Sequence, residues 1–118
     1  MIIDEIIGSG LTSKSSREKL AKNLIDLGIK NEKVIDLIIS MPRHLFLDTA
    51  LANRAYENVS LPIGFKQTIS QPYMVAKMTE LLHEKEKMDS VLEIGTGCGY
   101  QTSILSMLFK KVTTIERI

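Results

Sequence analysis

Three glycines alternate at Gly95, Gly97 and Gly99 inside VLEIGTGCGY, residues 91–100, and Glu116 closes the next apolar run about 20 residues beyond the first of them. A short apolar run, a glycine-rich turn and a helical pattern together are how a parallel α/β sheet begins to hold an adenosine-containing ligand. Glycine has no Cβ. The backbone can therefore turn sharply and let a ligand approach the helix N-terminus, where free N–H groups and the positive end of the dipole favour an anion. The spacing discriminates among ligands. The dinucleotide fingerprint is G-x-G-x-x-G, whereas here Glu93 precedes Gly95-Thr96-Gly97-Cys98-Gly99, an E-x-G-x-G-x-G arrangement that suits S-adenosylmethionine better than NAD. A phosphate-binding P-loop is excluded, because no G-K-[ST] follows and no lysine appears between Gly95 and Lys110. Adenosylmethionine carries no phosphate, so the turn need only surround an amino-acid tail and a sulfonium, and Glu116 at the tip of the second strand can accept both ribose hydroxyls.

The elements that must position these residues follow from periodicity. Ser15 and Glu18 have capping-box spacing, and Leu20, Ala21, Leu24, Ile25 and Leu27 form an apolar stripe ending at Gly28, which predicts a helix. Asn31 caps a second helix through Val34, Ile35, Ile38 and Ile39 to about Met41, stopped by Pro42, and residues 48–56 form a third, shorter one. Residues 57–70 read as a loop. Ser70 is placed to cap the next helix, with Pro72 in its first turn and Met74, Val75, Met78, Leu81 and Leu82 as its buried face. HEKEKMDS, 83–90, is a solvated connection to a strand at 91–95; Tyr100, Ile104, Leu105 and Leu108 mark a crossover helix, and 112–115 a second strand. The expected organisation is a helical region, 1–60, and a region 61–118 holding a motif loop, a helix and the first β-α-β unit of a Rossmann-like sheet, together one incomplete α/β domain.

Composition excludes several classes. With 118 residues, 44% hydrophobic, 25% charged and a net charge of +1, the chain has an ordinary globular balance and no field that attracts nucleic acid. Its apolar runs fall far short of the roughly 20 residues needed to cross a bilayer. The N-terminal MIIDEII lacks a basic leader region, and the lone Cys98 fits a reducing compartment, so a cytoplasmic location is expected.

LPIGFKQTISQPYMVAKMTELL (61–82), with VLEIGTGCGYQTSIL (91–105), VTTIERI (112–118), MPRHLFLD and AYENVSLP, resembles the protein-L-isoaspartate O-methyltransferases. QTISQPYMVA carries most of the specificity, since generic methyltransferases lack it. The resemblance implies a cytosolic repair enzyme that uses S-adenosylmethionine to methylate the free carboxylate of isoaspartyl residues in damaged proteins. Position by position, it implies that Ser70 is the active-site serine, that Gln67, Thr68 and Ile69 belong to the loop covering the cofactor, that Gly95, Thr96, Gly97 and Gly99 with Glu93 form the glycine turn, and that Glu116 is the ribose acid. Lys66 stands where the family usually has glycine, and Cys98 where it often has serine.

The implied chemistry needs no general base, because a carboxyl with a pKa of about 4 is already an anion at neutral pH. The site must instead align one carboxylate oxygen with the methyl group and exclude water. Each candidate also has a plain structural reading: Ser70 as a helix cap, Cys98 as a small loop residue, Met74 and Met78 as core, and His44 and His83, which have no partner at metal-ligand spacing, as structural side chains. The family's chains are nearly twice as long. That implies an N-terminal part that is inactive alone and pairs with another copy through its exposed strand edges, or else a non-catalytic remnant serving as an interaction module.

Overall fold

Leu20, Ala21 and Leu24 recur at helical spacing and are buried, and they define the inner stripe of α2 (Lys14–Asp26), which follows a short α1 (Ile2–Ile7) and a 3₁₀ turn (Gly10–Thr12). The computed structural model describes residues 2–84 and 89–117. Ile25 and Leu27, expected on that same stripe, lie on its flank and are each 51% exposed. The cap is Ser13, not Ser15. Ser13 is extended and its hydroxyl accepts the Ser16 N–H at 3.5 Å, whereas Ser15 already lies inside the helix and cannot reach back; Glu18 instead faces Lys14 at 3.9 Å on the exposed side. α3 (Glu32–Ser40) begins at Asn31 as expected, with its side-chain oxygen accepting from the Lys33 and Val34 N–H groups at 3.0 and 3.2 Å. The third helix is a 3₁₀ segment, Thr49–Arg54, capped by Asp48.

The segment expected as loop contains a hairpin. β1 (Leu61–Gly64) pairs antiparallel with β2 (Gln67–Ile69), and the turn between them places Phe65 and Lys66 at φ of 52° and 58°. That left-handed conformation favours glycine or asparagine, so neither side chain signals the turn in the sequence.

α4 (Pro72–His83) buries Pro72, Val75, Ala76, Thr79 and Glu80. Met74, Met78 and Leu81, expected in the core, are 45%, 53% and 51% exposed. The inner face is fixed by Glu80, which is 2% exposed and caps α3 from another helix, its Oε2 accepting the Lys30 and Asn31 N–H groups at 2.7 and 2.8 Å. Burial pushes the Glu80 carboxyl up, but those two N–H bonds and Lys77 outweigh it and the net shift is downward.

The expected 83–90 connection lies partly outside the described residues. Beyond it, β3 (Ser90–Ile94), α5 (Tyr100–Leu108) and β4 (Lys111–Ile115) form a β-α-β unit with β3 and β4 parallel and in register from Ser90 opposite Lys111 to Ile94 opposite Ile115. α5 covers one face of this pair, where Val91, Glu93, Val112 and Thr114 are half-buried; Leu92, Ile94 and Ile115 point to the other face and are exposed. One core joins both halves of the chain, running from Leu24 and Ile38 through Leu61 and Val75 to Tyr100 and Ile104. The architecture is therefore α/β, with N-terminal helices leading into the first β-α-β unit of a Rossmann-like sheet.

Because the Glu80 carboxyl lies below its ordinary value of 4.5 when folded, its stabilisation is fully present at neutral pH and is lost as the pH falls from 4.5 down through the lower folded value. Glu80→Gln should lower stability at pH 7 by about 1.5–3 kcal/mol and flatten the decline between neutral and acid pH, as read from urea unfolding.

Candidate functional site

The glycine turn is held from both ends. The Gly95 N–H donates to the Ile115 carbonyl at 2.7 Å, which ties the start of the turn to the tip of β4, and the Gly99 N–H donates to the Thr96 carbonyl at 2.9 Å. Gly99 caps α5 with φ of 88°, and Gly97 has φ of 54°, conformations that L side chains adopt only under strain. A Cβ at Gly97 would meet Ile63 Cδ1 at 3.4 Å, whereas one at Gly95 or Gly99 would meet nothing within 4 Å, so the space beside those two is open to a ligand.

Beneath the turn, Glu93 Oε1 accepts hydroxyl hydrogen bonds from Thr114 at 2.8 Å and from Thr102, and the Thr114 and Thr96 hydroxyls lie 2.5 Å apart. Glu93 thus locks β3, β4, α5 and the turn together through hydroxyls. Glu116 reaches over the turn from above. Its Oε1 accepts the Gly97 N–H at 2.7 Å and its Oε2 the Arg117 N–H at 2.8 Å.

The hairpin tip leans on this turn and encloses a cleft of about 150 Å³ lined by Ile63, Phe65, Gln67, Gly97, Cys98 and Glu116. Of the site residues expected from the sequence, Gln67, Gly97 and Glu116 line it. Gly95, Thr96 and Gly99 frame the turn, Thr68 is exposed on β2, and Ile69 points into the core at 4% exposure. Ordinary small-molecule sites measure roughly 300–1,000 Å³, so this cleft is smaller than a whole site of that kind.

Ser70 is exposed, just ahead of α4, and does not cap it. The N-cap position falls on Gln71, and the Tyr73 N–H, the first donor the helix offers after Pro72, is taken by Asn58 Oδ1 at 2.9 Å. The Ser70 hydroxyl makes no hydrogen bond among the described residues, while its carbonyl accepts from Arg43 Nη2 at 3.0 Å. His44 is buried, with Nδ1 on the Tyr56 hydroxyl at 2.8 Å and Nε2 on the Glu5 carbonyl at 2.5 Å; His83 Nδ1 pairs with the Asn31 amide at 2.8 Å. Sequence reasoning missed Asn58 and Arg43. Both act through long-range contacts that no spacing rule encodes, although an arginine amid the apolar residues of MPRHLFL is itself a signal.

A glycine turn after the first of two parallel strands, with an acid at the tip of the second, defines a Rossmann-like α/β protein. The family model of protein-L-isoaspartate(D-aspartate) O-methyltransferase matches residues 15–118, and the chain belongs to that family. It is 55% identical over 111 residues to the protein-L-isoaspartate O-methyltransferase of Methylobacillus flagellatus, covering 94% of this chain and 50% of the relative. It is also 56% identical over 108 residues to that of Pseudomonas syringae pv. tomato, covering 92% and 51%. The chain thus spans about half the length of the curated relatives it matches. Among solved structures, a Plasmodium falciparum chain described as a protein-L-isoaspartate O-methyltransferase, in complex with S-adenosyl-L-homocysteine, superposes with a TM-score of 0.73 at 22% identity, covering 86% of this chain and 49% of that one. A second protein-L-isoaspartate O-methyltransferase superposes with a TM-score of 0.70 at 28% identity, covering 86% and 34%.

Gly97→Ala forces a side chain into the left-handed region and should cost about 1–2 kcal/mol in urea unfolding at neutral pH. Unchanged stability would show that the turn relaxes without penalty.

Proposed function

We propose that this chain supplies the cofactor turn and the acceptor-orienting serine of an S-adenosylmethionine-dependent methyltransferase acting on the free carboxylate of isoaspartyl residues in damaged proteins. The observation that carries this reading is the unengaged Ser70 hydroxyl. Asn58 has taken over the capping duty that a serine before a helix ordinarily performs, which leaves the Ser70 Oγ available to donate to a carboxylate.

The turn fits the cofactor. A carboxylate, that of Glu116, accepts the Gly97 N–H, so this amide is placed to donate to an anion of the kind found at the amino-acid end of adenosylmethionine, and the open space at Gly95 and Gly99 lets a ligand approach the backbone. Gly95, Gly97 and Gly99 would hold that end, Glu116 the ribose, and Gln67 the side facing the hairpin. When bound, the cofactor supplies an electrophilic methyl group on a sulfonium, and the electron pair of the breaking carbon–sulfur bond stays on sulfur. The protein's part is positional. Ser70 orients the carboxylate by one donated hydrogen bond, and the hairpin tip at Phe65 and Lys66 covers the cleft and limits water. No proton need be removed, because the acceptor is already ionised. The free Cys98 supports a reducing, cytoplasmic setting, and no helix among the described residues is long and apolar enough to cross a membrane.

A second element of the reading is self-association. Leu92, Ile94 and Ile115 leave one face of the parallel pair apolar and exposed, at 59%, 73% and 53%, and a parallel sheet ordinarily has both faces covered. A second copy pairing through this face and the adjoining strand edge would cover it.

Joined to the C-terminal half of the Methylobacillus relative, the chain should methylate an isoaspartyl peptide. Ser70→Ala in that protein should slow turnover by about tenfold or more, with S-adenosylhomocysteine affinity, measured by calorimetry, changed by less than about twofold. Undiminished turnover would remove Ser70 from the site. In sedimentation equilibrium the 118-residue chain should form a concentration-dependent dimer that Ile94→Lys abolishes; a wild-type monomer at all concentrations would end the self-association reading.

A further inference from the structure

Arg43 is fully buried, at 0% exposure, in a protein whose other long charged side chains mostly reach solvent. Its Nε donates to the Ala55 carbonyl at 2.8 Å, and its Nη2 to the carbonyls of Val59 at 3.4 Å and Ser70 at 3.0 Å. Its guanidinium carbon lies 4.9 Å from the centre of the Tyr100 ring. Neither Arg43 Nη1 nor the Tyr100 hydroxyl, both buried, makes a hydrogen bond within geometric limits among the described residues, and the cation lies over the ring. Tyr100 is the first residue of α5, directly after the Gly99 cap.

We infer that Arg43 is a positioning residue that fixes the separation between the Ser70 segment and the glycine turn. One group bonds the backbone of the residue that orients the acceptor and places its charge over the ring of the residue that follows the cofactor turn. Methyl transfer tolerates little error in the line from acceptor oxygen through carbon to sulfur, so a rigid link between the two sides has a direct use. A lysine cannot substitute, because its ammonium lacks the fork of donors that reaches several carbonyls while the charge stays over a ring. This assignment rests on the functional reading above for the meaning of the two segments, but not for the link itself.

Amide hydrogen exchange on the 118-residue chain tests it. The Tyr73 and Val75 amides report the Ser70 side, Gly99 and Ser103 the glycine side, and Leu27 and Ile35 the helices, each being hydrogen-bonded. Arg43→Lys should speed exchange by about tenfold in the first two groups and by less than about twofold in the third. Equal acceleration everywhere, which is the signature of a simple core residue, or acceleration on one side alone, overturns the inference. Should Arg43→Lys not fold, the ring decides: Tyr100→Leu should speed Gly99 and Ser103 by about tenfold with the Tyr73 and Val75 amides within about twofold, and Tyr100→Phe should leave both sides near wild type. A Tyr100→Phe effect as large as that of Tyr100→Leu, or no effect of Tyr100→Leu on the glycine side, overturns it. A titration of the unsubstituted chain with S-adenosylhomocysteine tests the functional reading separately, since exchange does not depend on what the turn binds.

Discussion

A buried guanidinium is the constraint on which the rest of this structure depends. Moving a charge out of water costs several kcal/mol even after relaxation, and the cost is met only when the donors find acceptors. Burial pulls the Arg43 pKa downward, yet arginine starts high enough to remain a cation, and burial also pushes the Tyr100 hydroxyl up to about 12, so the ring beneath it stays neutral. The arrangement exists because the backbone around it is irregular. The stretch from Ala55 to Leu61 and the residues just before α4 belong to no long helix or wide sheet, and their buried carbonyls need donors from elsewhere. Arg17 does the same at the other end of the helical region, reaching the carbonyls of Ile6, Ile7 and Ile39 and lying 5.7 Å from the Tyr56 ring centre. Arg43 stands in for secondary structure that the backbone around it lacks, whereas Arg17 serves carbonyls in the last turns of α1 and α3.

Around the glycine turn, acids take that organising role. Glu93 is bound from below by the Thr102 and Thr114 hydroxyls, which occupy one of its oxygens. Glu116 lies above and engages the Gly97 N–H. The turn is therefore flanked by two acidic side chains while its own backbone presents N–H groups. That electrostatic pattern suits a ligand with both a cation and a carboxylate better than one bearing phosphates, which the flanking acids would repel. The spacing argument and the charge argument reach the same ligand class by separate routes.

What the sequence made legible were elements whose cause is local. The α3 boundary followed from the Asn31 side chain, and β3, α5 and β4 followed from short apolar runs around three glycines. The misplaced features have non-local causes. Ser15 has capping-box spacing, but the 3₁₀ turn at Gly10–Thr12 delivers the chain to the helix at Ser13 instead. The hairpin went unread because strands of four and three residues carry little alternation and because Phe65 and Lys66 occupy a turn that ordinarily announces itself with glycine. Ser70 was legible as a candidate for chemistry, but its release from capping depends on Asn58, fifteen residues earlier in the chain.

α4 shows why periodicity alone could not assign its inner face. Two stripes run along it at helical spacing: Val75, Ala76, Thr79 and Glu80 inward, and Met74, Met78 and Leu81 outward. The second is the more hydrophobic, and burial preference by itself would have chosen it. Glu80 decides otherwise, because only the observed rotation lets its carboxylate reach the unsatisfied N–H groups at the start of α3, and charged hydrogen bonds of that kind are worth more than the contacts of half-exposed methionines. The outward stripe and the bare face at Leu92, Ile94 and Ile115 then have one physical meaning. In a doubly wound sheet such surfaces are covered, so the apolar side chains that this chain leaves in water lie where that architecture places its further layers.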